Sequence, residues 1–219
     1  GQRWIHRAPS GSQFAPPVDE VGVGFDPEYA REQMALADYP NCVGFPNIEV
    51  VTYSGAVSWG EFWAAAAEEY LGCDPALFNI REVEFSELLD VTSAEASDRE
   101  RPNAWTLVWG ADFPDPHSLL YSVLSCENDN SFLRPCNEID TLMEAAAVET
   151  NLERRAKYYL GIEDQFFGAE GEFPIVPIYV RADFALVKPW ISGPIEKDGI
   201  FVGNHWDAYT VDMEAKRAA

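Results

Sequence analysis

Basic side chains are scarce in this chain. Its 219 residues include 15 Lys and Arg against 37 Asp and Glu, which gives a formal net charge of -22 at pH 7. Such a charge disfavours nucleic acid as a partner, because phosphate backbones are bound by basic surface stripes. It equally disfavours attraction to an anionic membrane surface. The acidic balance instead predicts a well-solvated, soluble surface.

Residues and motifs that carry catalysis or bind metal are also scarce. The three histidines follow no metal-ligand spacing: His6, His117 and His205. A zinc site would further need a Cys-x-x-Cys motif or paired histidines, and neither occurs. The sequence has no Gly-x-Ser-x-Gly, no phosphate-binding loop and no His-Glu-x-x-His. We therefore expect no enzyme activity, no cofactor and no bound metal.

Only four cysteines occur, an even number that is typical of disulfides in an exported protein. Cys126 and Cys136 flank a polar loop that lacks a core of its own, and a disulfide between them would stiffen that loop. Cys42 and Cys73 are then the remaining pair. Four cysteines allow three connectivities, and the sequence leaves the other two open.

The sequence has no apolar run long enough to span a bilayer, and no export signal or lipidation motif. The chain begins Gly-Gln-Arg-Trp rather than with Met, so we expect an excised segment of a longer protein. Missing signals then say nothing about that parent, for which the cysteine usage favours a location outside the cytosol.

Apolar residues make up 47% of the chain, enough for a core. The seven Trp, nine Tyr and thirteen Phe exceed what a core needs, so some should line a cleft or an interface. Hydrophobic spacing and capping residues predict several helices. Asp26, Ser86 and Asn137 each cap the start of one helix, Gly72 ends another, and two more cover residues 117–124 and 152–167. Strands are predicted over residues 48–53, 78–85, 104–109, 173–180 and 182–187. This order predicts an α/β fold, with a mixed β-sheet flanked by helices.

One stretch points to a ligand. The predicted strand at 104–109 ends in Gly-Ala-Asp-Phe-Pro-Asp-Pro, which would deliver Trp109, Asp112 and Phe113 to the rim of the sheet. Open α/β sheets bind ligands beyond the carboxyl ends of their strands. One carboxylate between two aromatic rings suits a cationic, partly apolar ligand. The competing interpretations are a turn cap for Asp112 and core packing for the two rings, the core being favoured for Phe113.

Five segments stand out along the chain. They are a Gly-Phe-Asp-Pro-Glu helix start, a Val-Trp-Gly-Ala-Asp-Phe-Pro-Asp-Pro turn, a helix pair with Arg-Arg and Tyr-Tyr, a Glu-Phe-Pro-Ile-Val-Pro-Ile-Tyr stretch and a closing Leu-Val-Lys-Pro-Trp. They lie at residues 24–40, 108–116, 137–159, 172–179 and 186–190. In this order they resemble the peptide/nickel-type (family 5) extracytoplasmic solute-binding proteins of ABC importers, which include oligopeptide- and dipeptide-binding proteins.

The resemblance implies one lobe, the C-terminal one, of a type II periplasmic-binding-protein fold. Residues 1–24 would be an extended entry segment, 25–190 the ligand-binding lobe, and 191–219 a return towards an absent N-terminal lobe. The implied function is capture of a peptide or other small solute in a two-lobed cleft, for delivery to ABC transporter permease subunits. The implied location is periplasmic or extracellular, with a lipoprotein anchor as one option for the parent.

The resemblance also assigns roles to residues of the turn. Asp112, at the family's Trp-x-Ala-Asp position, would take the α-amino group of a bound peptide. Trp109 would form a wall of a side-chain pocket, with Ala111 and Phe113 as further ligand contacts. Asp115 is expected to shape the Pro-Asp-Pro turn rather than touch ligand.

One departure bears on specificity. Oligopeptide binders can carry a basic residue three positions before the tryptophan, where it holds a peptide's carboxylate, and here that position is Thr106. Longer peptides, a nickel complex, an opine or an oligosaccharide therefore stay open as ligands. Two further functions also stay open: a secreted acidic hydrolase that uses Asp112 and Asp115 as a carboxylate pair, and an interaction module without a small ligand.

Overall fold

The structure is a computed structural model. It describes residues 24–110, 112–113, 115–128, 130–178, 186–193 and 206–218. These fall into two compact units. The first contains residues 24–109 and 123–140, and the second contains the described residues of 110–122 and of 141–218. The expectation for residues 1–23 lies outside the described residues.

Within these described ranges, the helices longer than one turn are α1 to α7: Pro27–Leu36, Val57–Leu71, Phe85–Thr92, Pro116–Leu124, Glu138–Val148, Leu152–Phe167 and Met213–Ala218. The strands are β1 to β5: Ile48–Tyr53, Phe78–Val83, Ala104–Trp105, Ile191–Ser192 and Thr210–Val211. No helix within the described ranges is both long and apolar enough to cross a membrane.

The first unit is built on a parallel three-stranded sheet in the order β2-β1-β3. The central strand β1 reads Ile-Glu-Val-Val-Thr-Tyr, and its β-branched residues suit a strand that is covered on both faces. It pairs with β2 along its whole length, from Ile48 opposite Phe78 to Tyr53 opposite Val83. The helix α2 makes the crossover between them. The α/β class predicted from the sequence is thereby confirmed.

The third strand is shorter than the sequence indicates. Residues 104–109 were expected to form the most buried strand, but β3 ends at Trp105 and one further ladder bond joins the Thr106 amide to the Val51 carbonyl. The register explains this, because Trp105 lies opposite Val51 and β1 ends only two residues later. Beyond that point Val108 is 50% exposed and Trp109 is 41% exposed.

Local signals set the ends of the first two helices. Asp26 caps α1 by accepting hydrogen bonds from the amides of Glu28 and Tyr29, with Pro27 at the first helical position. Gly72 ends α2 in the left-handed conformation, with φ of 74°. Both features were predicted.

The cap predicted for α3 is wrong. The helix begins at Phe85, one residue before Ser86, and its N-cap residue is Glu84, which makes no side-chain capping bond. The buried side chains of Leu88 and Thr92 explain the shift, because they place one face of this helix in the core. Packing thus outweighs the capping preference of a serine.

The two disulfides of the first unit are Cys42–Cys73 and Cys126–Cys136, with Cα–Cα distances of 4.9 and 5.2 Å. This is the connectivity that the sequence favoured. Cys42 and Cys73 are buried in a core cluster with Val50, Ala64 and Phe78.

In the second unit, α6 covers the predicted residues 152–167 and buries Tyr159, Ile162 and Phe166. The strand predicted over 173–180 is wrong for residues 173–178, which are irregular. Two prolines remove amide donors there, and the Phe173 amide instead bonds to the Phe166 carbonyl at the end of α6. Of the strand predicted over 182–187, residues 182–185 lie outside the described residues and 186–187 are irregular. The antiparallel pair that forms is β4 with β5.

Candidate functional site

The turn that leads into α4 contains the carboxylates singled out by the sequence. Asp115 immediately precedes the helix and caps it. Its carboxylate oxygen Oδ1 accepts the amide of His117 at 2.9 Å, and its carbonyl accepts the amide of Ser118 at 3.1 Å. Pro116 occupies the first helical position, where a missing amide costs nothing. The expectation that Asp115 shapes this turn agrees with these contacts.

Helix α6 holds Asp115 from a second direction. The guanidinium of Arg155 donates from Nη1 to Oδ2 at 2.7 Å and from Nη2 to Oδ1 at 2.9 Å, a bidentate ion pair. The Tyr159 hydroxyl donates to Oδ1 at 3.2 Å. The two charged side chains are only 15% and 22% exposed, so water screens this pair much less than it screens a surface pair.

The pKa values of the group follow from these contacts. Burial alone would raise the pKa of Asp115, but the hydrogen bonds from Arg155 and the His117 amide outweigh burial, and the pKa lies below its ordinary value. Burial is also the largest influence on Tyr159 and raises the pKa of its hydroxyl, with the Asp115 charge acting in the same direction. Tyr159 therefore stays protonated and able to donate.

Asp112 has a different environment from Asp115. Its amide donates to the Oγ of Ser118 at 2.8 Å, and Ser118 itself is buried in α4. Its side chain is exposed, and within the described part of the chain no hydrogen bond or ion pair engages its carboxylate. The backbone at Asp112 is thus fastened while its side chain is exposed.

The other residues predicted to contact ligand are Phe113, Trp109 and Ala111, and the structure describes the first two. Phe113 is 48% exposed, so the preference for core packing of this ring is wrong. Trp109 is 41% exposed in the first unit. Its role as the wall of a pocket stays a prediction. Ala111 lies outside the described residues.

Sequence reasoning missed Arg155, Tyr159 and Ser118 as parts of the site. Arg155 lies 40 residues from Asp115, too far for a local pattern to connect them. The available signal was the spacing of Arg155 and Tyr159, four residues apart on one face of a long helix. A basic residue directed inwards on such a face needs a buried acid as its partner.

Neither metal binding nor hydrolysis gains support from the site. No group of three or more His, Cys, Asp or Glu that could hold a metal occurs in the described ranges. His117 stacks on Tyr121 with ring centroids 4.9 Å apart, and burial lowers its pKa. A carboxyl that acts as general acid needs a raised pKa, whereas the pKa of Asp115 is lowered. Asp115 is therefore unsuited to be the general acid of the proposed carboxylate pair.

Comparison with known proteins agrees with the resemblance seen in the sequence, although no family model matches the chain. The periplasmic oligopeptide-binding protein OppA of Escherichia coli (strain K12) is 31% identical over 90 residues, which are 41% of this chain and 16% of OppA. OppA of Salmonella typhimurium is 28% identical over 129 residues, or 58% of this chain and 22% of that protein.

The fold is likewise similar to a solved structure. The murein tripeptide binding protein MppA of Escherichia coli superimposes with a TM-score of 0.62 and 19% identity, over 88% of this chain and 36% of MppA. The chain therefore spans about a third of that protein. The predicted resemblance to family 5 solute-binding proteins and the type II periplasmic-binding-protein fold are confirmed. These relatives are binding proteins rather than enzymes, which agrees with the expectation of no enzyme activity.

Proposed function

We propose that this chain, which resembles the C-terminal lobe of the family 5 peptide-binding proteins in sequence and fold, captures peptides or related solutes for an ABC importer. In this proposal residues 25–190 form the ligand-binding lobe and 191–219 return towards a second lobe of a parent receptor. The two lobes would close over the solute by a hinge motion, driven by the extra contacts of the closed state. The receptor would act in the periplasm or outside the cell.

The observation that carries this proposal is the exposed Asp112 carboxylate, which lies in a fastened turn without a partner among the described residues. A ligand ammonium that loses its water needs a charged acceptor, and a charge-assisted hydrogen bond contributes about 1.5–3 kcal/mol net. The peptide-binding names of the relatives support an α-amino group as that ammonium. The net charge of -22 favours the approach of any cationic solute.

The carboxyl end of the peptide is proposed to contribute little to binding. Thr106 replaces the basic residue that some oligopeptide binders carry, and a threonine hydroxyl forms no ion pair with a carboxylate. The backbone amide of Thr106 is already used in the hydrogen bond to the Val51 carbonyl. We therefore propose ligands that have a free amino end and no requirement for a free carboxyl end, such as longer peptides.

An NMR titration of the ¹⁵N-labelled 219-residue chain tests the proposal. Three ligands suffice: a short peptide amide with a free amino group, its N-acetylated form, and the corresponding free acid. We expect the free amine to shift the amide signals of Asp112 and Phe113 with a dissociation constant no tighter than millimolar. One ion pair of about 1.5–3 kcal/mol falls short of the roughly 4 kcal/mol that 1 mM requires. Amidation should change little, and acetylation should weaken binding about 10- to 150-fold, the equivalent of about 1.5–3 kcal/mol.

The Asp112→Asn variant should bind the free amine more weakly, by about the same 10- to 150-fold. Asp90→Asn is the matched control, because Asp90 is an exposed aspartate on α3 and the charge change is the same. Equal shifts with the free and the acetylated peptide would contradict the role of Asp112. Micromolar binding by this chain alone would contradict the need for a second lobe.

A further inference from the structure

The turn that carries Asp112 is anchored at both of its ends. At one end the Asp112 amide bonds to the buried Ser118 hydroxyl of α4. At the other end Asp115 is held by Arg155 and Tyr159 of α6. Between the anchors, the Asp115 amide bonds to the Phe113 carbonyl at 2.7 Å. This turn therefore has little freedom to move while both anchors are in place.

The two aspartates of the turn also differ in whether an opposite charge neutralises them. Arg155 neutralises Asp115 through both carboxylate oxygens. Asp112, three residues earlier, has no such partner in the described part of the chain. Without Arg155, Asp115 would be an uncompensated and largely buried charge, and the turn would have to move to bring it to water. Such a movement would displace Asp112 as well.

The Arg155 side chain is itself held in place by other contacts, so it can fix the position of Asp115. Its Nε donates to the Ala146 carbonyl at 2.7 Å, and Nη2 also donates to the Tyr159 hydroxyl at 3.0 Å. The guanidinium lies over the Tyr159 ring, with its central carbon 5.3 Å from the ring centroid. The planar guanidinium carries several N–H donors in fixed directions and makes these contacts at the same time, whereas a lysine ammonium does not reproduce them.

We propose that Arg155 is a positioning residue for ligand recognition: by clamping Asp115 together with Tyr159, it holds the turn so that the Asp112 carboxylate meets the cationic group of the ligand. The ligand part of this inference rests on the proposed function. Preorganisation of this kind increases affinity by removing the cost of ordering the turn on binding. Arg155 needs no contact with the ligand.

The first test needs no ligand. Backbone ¹⁵N order parameters and amide hydrogen exchange are measured at Asp112 and Phe113 in the wild type, Arg155→Met and Arg155→Lys. The matched control is Arg154→Met, because the neighbouring Arg154 is 66% exposed and pairs with Glu149 instead. We expect mobility at Asp112 and Phe113 to rise in both Arg155 variants, more in Met than in Lys, and to stay unchanged in Arg154→Met. Unchanged order at Asp112 in Arg155→Met would overturn the inference.

The second test separates positioning from simple loss of folded protein. A variant that is partly unfolded loses affinity for free-amine and N-acetylated peptides in the same proportion. Loss of positioning instead reduces the preference for the free amine. We expect this preference to fall at least fivefold in Arg155→Met and to be partly restored in Arg155→Lys. An unchanged preference in Arg155→Met would overturn the inference.

Tyr159→Phe keeps the Arg155 pair and removes one hydrogen bond, so it provides a milder variant if Arg155→Met does not fold. It should raise the mobility of Asp112 to a smaller extent, and no change there would count against the clamp. If the wild type shows no preference for the free amine, the proposed function fails. The ligand-free measurements still decide whether Arg155 holds the turn.

Discussion

Two aspartates three residues apart, Asp112 and Asp115, have opposite environments. Asp115 is engaged by an arginine, a tyrosine and two backbone amides, whereas the Asp112 side chain is exposed. The sequence predicted that Asp115 shapes the turn, which agrees with these contacts, and that Asp112 contacts ligand, which stays a prediction. The sequence did not reveal why the two environments differ, because the charged partner of Asp115 is Arg155, 40 residues later in the chain.

The lowered pKa of Asp115 predicts a loss of stability in acid. In the unfolded chain this carboxyl titrates near its ordinary pKa of about 3.9, and in the folded chain it titrates lower. Its contribution is therefore fully present above about pH 4 and is lost as the pH falls through the folded-state pKa. Urea unfolding between pH 6 and pH 2 should show a steeper decline for the wild type than for Asp115→Asn.

Glu149 is another acid whose pKa is lowered, because the hydrogen bond from Arg154 brings it to about 2. Its contribution disappears over an overlapping range, so the comparison must be made against Asp115→Asn rather than from the wild-type curve alone. Parallel curves for the two proteins would contradict a stabilising role for ionised Asp115.

At the scale of secondary-structure elements, the sequence predicted several features that depend on neighbouring residues, although the cap expected at Ser86 is wrong. The cap at Asp26 and the stop at Gly72 are local signals, and both occur as expected. The strand predicted after Asn103 is too long. The observed strand ends where its neighbour β1 ends, and the residues of the strand itself do not determine that point. The strand predicted from Phe173 fails because its amide bonds to the end of α6.

A pair of glycine substitutions tests the account of the helices. Gly72 has φ of 74°, which only glycine adopts without strain, so Gly72→Ala should lower the free energy of unfolding by about 1 kcal/mol. Gly161 lies inside α6, and a Cβ there meets nothing within 4 Å. Gly161→Ala should therefore raise the free energy of unfolding by about 0.5–1 kcal/mol. Urea denaturation measures both, and effects of the same sign would contradict this account.

At the scale of the whole molecule, the charge and the cysteines agree with the location proposed for the parent receptor. A formal charge of -22 disfavours nucleic acid as a partner, and the two OppA relatives are named as periplasmic proteins. The chain spans only 16% to 36% of the relatives it matches. In the proposed function the chain is one lobe and supplies one side of a clamp, which is why weak binding is expected of it.

The two disulfides should form in the oxidised protein and stabilise it unequally. Peptide mapping without reduction should recover the pairs Cys42–Cys73 and Cys126–Cys136. The first pair closes a loop of 31 residues and the second a loop of 10. Loop-closure entropy predicts losses of roughly 4 and 3 kcal/mol on replacing each pair by alanines. Recovery of any other pairing from the folded protein would contradict the structure.

The most direct test of the central claim is a double-mutant cycle between Asp112→Asn and N-acetylation of the peptide, with all four affinities measured by the NMR titration. If the Asp112 carboxylate binds the peptide ammonium, either change alone removes the interaction and the second then adds little. We predict a coupling free energy of about 1.5–3 kcal/mol. Additive effects of the two changes, with a coupling energy near zero, would show that Asp112 and the amino group do not meet.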